Sequence, residues 1–275
     1  MSAEAVAQQN KDVKAVIELA TMAGGMLLSS GADTKRAEET MEYIMGQVPG
    51  GNTVITVISS SIFISYTPED EGSPVSSIRK IKSWSTDIEK VHVANDVSRR
   101  FCAGEINVRE AIDILRKTQD KKDIPLWMLI VGYVMVTACT PLFLGEVQIM
   151  NCVATALCGV LMALLVFAFR KVNIGAFFVN AIMSFAAVFI GFGAVLVFPN
   201  NIDLTIVAAT CICPMFPGVT IVNAVRDILH GDYISGSGRL LEALVRTLGF
   251  VMGALAGSIA VTVIIFSTGL LGIIF

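Results

Sequence analysis

Residues 203–242 read DLTIVAATCICPMFPGVTIVNAVRDILHGDYISGSGRLLE, and the change of character along this stretch decides the fold. Its first part, 203–223, is almost free of charge and reaches the roughly 20 residues that a helix needs to cross about 30 Å of hydrocarbon. From Pro214 to Glu242 it then packs in two prolines, five charged side chains, one histidine and four glycines. A plain lipid anchor has no use for Asn223, Arg226 and Asp227 at its end. Charge beside hydrocarbon is costly and is kept where it has a task.

Working outward, apolar segments of similar length occupy 125–144, 148–169 and 175–198 before this stretch and 243–270 after it. With 203–223 they make five expected transmembrane helices. The separators are polar: Glu146, then Arg170 and Lys171, then Pro199–Asp203, then a long loop over 224–242. Arg170, Lys171, Arg226, Arg239 and Arg246 fall on one side of the alternation, and Glu146 and Asp203 on the other. Arg116, Lys117, Lys121 and Lys122 precede the first segment. By the positive-inside rule the N-terminus is cytoplasmic and the C-terminus external. Gly249, Gly253 and Gly257, at steps of four, let helix backbones approach closely, within one chain or between subunits.

Composition agrees. The chain of 275 residues is 54% hydrophobic and 16% charged, with mean hydropathy +0.71, well above a soluble domain. Residues 1–124 hold 15 of the 20 Lys+Arg and 18 of the 23 Asp+Glu. The expected fold class is therefore an α-helical membrane protein with five transmembrane helices in 125–275, plus a cytoplasmic α+β domain in 1–124. The net charge of −3 argues against nucleic acid as a partner. The start lacks the apolar core of a signal peptide. Six cysteines and two histidines show no metal-ligand spacing, so no metal and no cofactor is expected, and the cysteines read as small apolar packing residues.

In the N-terminal half, Val13, Val16, Ile17, Ala20, Ala23, Gly24 and Leu27 form a helical stripe over 12–30, with Gly31 as its stop. Asp33 suits the N-cap of a second helix running to Val48. Val54–Thr67 reads as one strand and Val75–Trp84 as another, joined as a hairpin by the acidic turn 68–74. Asp87–Phe101 reads as a third helix, and Asn107 with Glu110 opens a fourth, to Gln119, in the manner of a capping box. No phosphate-binding glycine loop and no Ser/His/Asp arrangement appears, so the chain is not expected to be an enzyme.

Three groups of residues together resemble the threonine/serine exporter family. They are Ser30-Gly31-Ala32-Asp33-Thr34 with Arg36 and Glu38-Glu39-Thr40-Met41; Val91–Arg99 with Asn95 and Arg99; and Pro214, Pro217-Gly218, Asn223, Arg226-Asp227, Gly231-Asp232, Ser235-Gly236, Arg239 and Glu242-Ala243. The resemblance implies a multi-pass cytoplasmic-membrane exporter of small polar metabolites. Long members fuse two membrane modules. This chain is similar to the short first-module form, which works beside a separate smaller membrane subunit and is associated with dicarboxylate (succinate) export. The implied partners are a small-molecule substrate (an amino acid or a dicarboxylate), membrane lipid, and a second-module subunit or a homo-oligomer. The odd number of spans fits a missing complement. The ending Pro141–Glu146 of the first segment departs from the plainer Phe-Gly-Gly-like ending of the family.

For such an exporter, Arg226 and Arg239 suit a substrate carboxylate, because a guanidinium forks onto it through two hydrogen bonds. Asn223, Arg226 and Asp227 share one helical face. Arg239 reads equally as a positive-inside charge at the headgroups. Asp227, Asp232 and Glu242 are the coupling-proton residues to test. An ion pair is the competing reading of Asp227, and a turn residue that of Asp232. Pro214, Pro217 and Gly218 break the fourth span, either opening backbone groups to solute or simply kinking the helix. Asn180 either lines the path or bonds a neighbouring helix. The contrasting function class is a membrane-anchored regulatory or scaffold protein.

Overall fold

The computed structural model describes residues 3–58, 60–69, 73–81, 86–120, 124–145, 148–170, 172, 174–197 and 204–268, with side chains from residue 12 onward. Glu146, Lys171, residues 199–203, Lys121, Lys122 and Trp84, on which parts of the expected topology rest, lie outside the described residues. The chain folds as two compact units, one of residues 1–122 with 218–241 and one of 123–217 with 242–275.

The first unit is built round α1 (Ala3–Ser29), whose Leu19, Ala20, Ala23, Leu27 and Leu28 are wholly buried. Around it stand α2 (Thr34–Met45), α3 (Ile88–Cys102) and α4 (Val108–Gln119). Each starts on a side-chain cap that satisfies a free N–H of the first turn. Asp33 accepts from Arg36 N–H, Asp87 from Lys90 N–H and Asn107 from Glu110 N–H.

The expected hairpin is corrected to a three-stranded antiparallel sheet in the order β1 (Gly51–Ile58), β2 (Ser61–Pro68), β3 (Val75–Lys80). The β-branched run 54–67 is not one strand. It folds back before Ser61, so that Ile55 pairs with Ile64 and Val57 with Ile62. Ile62, Ile64 and Tyr66 of the central strand are buried in strict alternation, which gives this sheet one core face. The remaining elements of the unit are α9 (Gly218–Leu229) and the first turns of α10 (Tyr233–Thr268). The expected loop over 224–242 is thus mostly helix, interrupted only at 230–232.

The second unit holds α5 (Leu126–Phe143), α6 (Ile149–Phe169), α7 (Ala176–Val197), α8 (Leu204–Ile212) and the rest of α10. Among the described residues, four helices, α5, α6, α7 and α10, are long and apolar enough to cross a membrane. There are up to five if Leu204–Met215 and Gly218–Leu229 count as one broken span. The segment 203–223 is not one continuous helix. The helix gives way at Cys213–Met215 to a 3-10 turn, and Phe216 adopts φ −63°, ψ 132°. Pro217 causes this, because its ring drives the residue before it out of the helical region.

Packing in this unit relies on small residues. A side-chain carbon at Gly249 would strike the Phe177 carbonyl, and one at Gly253 the backbone of Ala181. Gly257 lies against Phe185 and Val188. The glycine steps therefore pack α10 on α7 within the chain. Ser184 donates to the Phe250 carbonyl at 2.8 Å and Asn180 to the Arg246 carbonyl at 3.3 Å. The outer surfaces of the spans expose Trp127, Met135, Leu157, Phe178, Leu255 and Ile259, as a lipid-facing surface requires.

Candidate functional site

Two helix endings of the first unit share one design. At the end of α1, Gly31 takes φ +95°, Ala32 N–H reaches back to the Leu27 carbonyl and Gly31 N–H to that of Leu28. At the end of α9, Gly231 takes φ +93°, Asp232 N–H reaches the Asp227 carbonyl and Gly231 N–H that of Ile228. Both are Schellman closures, in which glycine supplies the left-handed turn and the last carbonyls find donors. After the first, the chain passes at once into the cap of α2, leaving residues 31–34 as a tight connection.

That connection receives the polar face of α9 and the start of α10. Asn223 Nδ2 donates to the Gly31 carbonyl at 2.7 Å. Arg226 Nη1 donates to Asp33 Oδ2 at 2.7 Å, while the same carboxylate caps α2 through Oδ1. Thr34 N–H donates to Asp227 Oδ1 at 3.0 Å. Arg239 Nη1 lies 3.3 Å from Asp227 Oδ2 and donates to the Ala32 carbonyl at 3.1 Å. The two ion pairs differ in setting. The side chains of Arg239 and Asp227 are 9% and 0% exposed, whereas that of Arg226 is 52% exposed. The Thr34 hydroxyl, wholly buried beside them, has no hydrogen-bond partner.

α9 is inverted relative to a soluble helix. Asn223, Ala224 and Asp227 are buried, and Val219, Val222, Val225 and Leu229 are exposed. Gly236 lets α10 approach α9, because a side-chain carbon there would meet the Ala224 carbonyl and Ile228.

Electrostatics set two carboxyls apart. Burial raises the Asp33 pKa, but the Arg226 hydrogen bond, the Arg36 N–H and the two arginine charges outweigh it, and the net shift is downward. Glu38, on α2, moves the other way. Burial raises it, the Val57 N–H at 2.8 Å opposes, and the charges of Asp232, Glu42 and Asp227 add to the rise.

Of the residues singled out from sequence, Asn223, Arg226, Asp227 and Arg239 come together here. Asp232 closes α9, so its backbone is structural. Pro214 and Pro217 flank the bend that ends at Gly218, the first residue of α9. Asn180 and Glu242 belong to the other unit. Asn180 bonds the neighbouring helix, and Glu242 pairs with Arg246 one turn on at 2.6 Å. Sequence reasoning missed Asp33 and Thr34 as members of the cluster and gave Glu38 no role beyond its place in the family resemblance. Asp33 was legible only as a cap, and no spacing rule links residues 193 positions apart.

The threonine/serine exporter (ThrE) family profile matches residues 18–261. Two curated relatives are similar. "Probable threonine/serine exporter" of Mycobacterium tuberculosis (strain ATCC 25618 / H37Rv) is 23% identical over 248 residues, covering 90% of this chain and 46% of that protein. "Threonine/serine exporter" of Corynebacterium glutamicum is 26% identical over 253 residues, covering 89% and 51%. The chain thus spans about half the length of the curated relatives it matches. No solved structure matches it.

Proposed function

Because the chain belongs to the threonine/serine exporter family, we propose that it is a subunit of a cytoplasmic-membrane exporter of small carboxylate-bearing metabolites, either threonine and serine or dicarboxylates such as succinate. It works with a second membrane subunit that supplies what its relatives carry in their remaining length, or with copies of itself. The N-terminus is cytoplasmic and the C-terminus external.

The observation that carries the reading is the meeting of Arg226 with Asp33 beside the buried Asp227–Arg239 pair. The buried pair holds the frame. Arg226, half exposed and held on one edge by Asp33, presents its remaining N–H groups to a substrate carboxylate. A bidentate contact of this kind contributes on the order of 1.5–3 kcal/mol. The substrate competes with Asp33 for the guanidinium, which keeps capture reversible. For proton coupling, Asp227 and Glu242 are committed to arginines. Glu38, raised by burial with the Asp232, Glu42 and Asp227 charges adding, is better suited to reversible protonation. The apolar outer face of α9 suits contact with lipid.

The test is efflux of labelled threonine, serine and succinate from cells with and without this chain, each with and without a second-module subunit. Efflux of at least one of these that depends on the chain is expected, and is largest with the partner. Absence of chain-dependent efflux in every arm, with the protein present in the membrane, overturns the exporter reading.

A further inference from the structure

The first unit contains a cavity of about 500 Å³ that the exporter reading does not use. It lies between α1, the end of β3, α3 and the end of α4. Three cations line it: Arg79, Lys80 and Lys90. Asp87 lies 3.6 Å from Lys90, so its carboxylate offsets one of the three charges and leaves a surplus of two. Glu18, which acts on Arg79 electrostatically, is itself 3.3 Å from Arg116. No carboxylate lines the cavity among the described residues.

A second, independent sign comes from Ser30. It lines the same cavity, is 2% exposed, and its hydroxyl has no hydrogen-bond partner. A buried hydroxyl left unpaired is costly, and an oxygen brought into the cavity beside Ser30 would satisfy it. Gly25 keeps the wall open, since a side-chain carbon there would lie 3.4 Å from Arg79 Nε. Met22, Met26 and Ile81 add an apolar part to the lining.

We propose that this cavity binds a soluble phosphate monoester, its phosphate held by Arg79, Lys90 and Ser30 and its uncharged body against Met22, Met26 and Ile81. A phosphate monoester carries about −1.5 to −2 charge at neutral pH and three acceptor oxygens, matching the two surplus positive charges and the waiting hydroxyl. The volume accommodates a body the size of a small metabolite. The Ser30 carbonyl accepts from Asp87 N–H at the start of α3, and the next four residues are the connection that receives Asn223, Arg226, Asp227 and Arg239. Occupancy therefore bears on that connection. The proposal stands whether or not the chain exports.

The experiment uses the purified full chain in detergent and isothermal titration with inorganic phosphate, chloride being present throughout at constant ionic strength. Saturable binding is expected, weakened about tenfold or more by Arg79→Gln and by Lys90→Gln, a loss of about 1.4 kcal/mol per decade. Ser30→Ala is expected to weaken binding several-fold while leaving the phosphate-free melting temperature unchanged or higher. That combination separates a ligand contact from a packing role. AMP is expected to bind more tightly than phosphate, and more tightly than dioctanoyl phosphatidic acid, which carries the same group on a lipid. Absence of saturable phosphate binding, or equal binding by the wild type and both cation variants, overturns the site. Tighter binding of the phosphatidic acid overturns its assignment to a soluble ligand.

Discussion

Arg226 and Arg239 of the first unit and Arg246 of the second hold their partners in opposite ways. In the first, Arg226 and Arg239 reach carboxylates and carbonyls on other elements, with Asp33 and Ala32 some two hundred residues away in sequence. In the second, Arg246 turns to Glu242 on its own helix, four residues back. The first unit spends polar groups on joining elements. Among the described residues, the second joins its helices through apolar packing, glycine contacts and side-chain-to-carbonyl bonds. A long-range ionic junction is specific, and it is also open to competition from a small anion. A glycine seam is neither charged nor addressable by solute. On this contrast rests our placing of the proposed substrate capture in the first unit.

The comparison breaks most severely at the buried pair. Asp227→Ala leaves Arg239 buried without its carboxylate and is expected to cost about 3–5 kcal/mol, read as loss of purified, monodisperse protein. Asp227→Leu combined with Arg239→Met should recover part of that, and only part, because Thr34 N–H also loses its acceptor. Full stability of the single variant would show that the junction does not hold the unit together.

Arg226 sharpens the comparison. Its pair with Asp33 is half exposed and adds only about 0–1 kcal/mol to folding, so Arg226→Gln should insert and purify normally. Apparent affinity for the exported carboxylate should fall roughly tenfold to a hundredfold. Arg226→Lys should retain part of the function, having charge without the fork. Wild-type export by Arg226→Gln across substrate concentrations would reduce the residue to a topology charge.

The seam of the second unit is tested by Gly253→Val, which drives a branched side chain into the Ala181 backbone. Overpacking of this kind costs about 1–3 kcal/mol, seen as a lower melting temperature with phosphate binding unchanged. An unchanged melting temperature would show that α10 and α7 do not depend on close approach.

The smallest effect concerns pH. Asp33 has a lowered pKa, so its stabilisation is complete above its ordinary 3.8 and is lost as pH falls through the lowered value. Glu38 has a raised pKa, so the folded state binds its proton more tightly, and stability falls as pH rises from the ordinary 4.5 through the raised value. Melting temperatures followed from acid to neutral pH should show Glu38→Gln more stable than wild type near neutrality, with the gap closing on acidification. Asp33→Asn should lose the acid limb. Parallel curves for wild type and both variants would remove these two carboxyls from the pH response.

How much of this was legible depended on range. Asp33, Asp87 and Asn107 were readable as caps because a cap and its N–H lie three residues apart. The spans α5, α6 and α7 were readable because apolar length is a local property. The split of 54–67 into β1 and β2 was obscured by unbroken β-branched sequence, with only the serines at 59–61 to mark a turn. The helical nature of 224–242 was hidden by glycines at 231, 236 and 238. Two of these, Gly231 and Gly236, serve a helix closure and a close helix contact rather than a loop. The cluster itself could be assembled only in three dimensions.

The first unit's discontinuity also sets an order of manufacture. Its N-terminal portion leaves the ribosome complete to residue 122, but α9 and Arg239 follow only after about 95 further residues, some 5–20 s later at ordinary translation rates. Throughout that interval Asp33 and Thr34 N–H lack Arg226 and Asp227, and the intervening apolar helices must be handed to the translocation machinery meanwhile. A nascent chain halted before residue 218 is a unit without its last two helices. Chaperones and proteases would meet that form first.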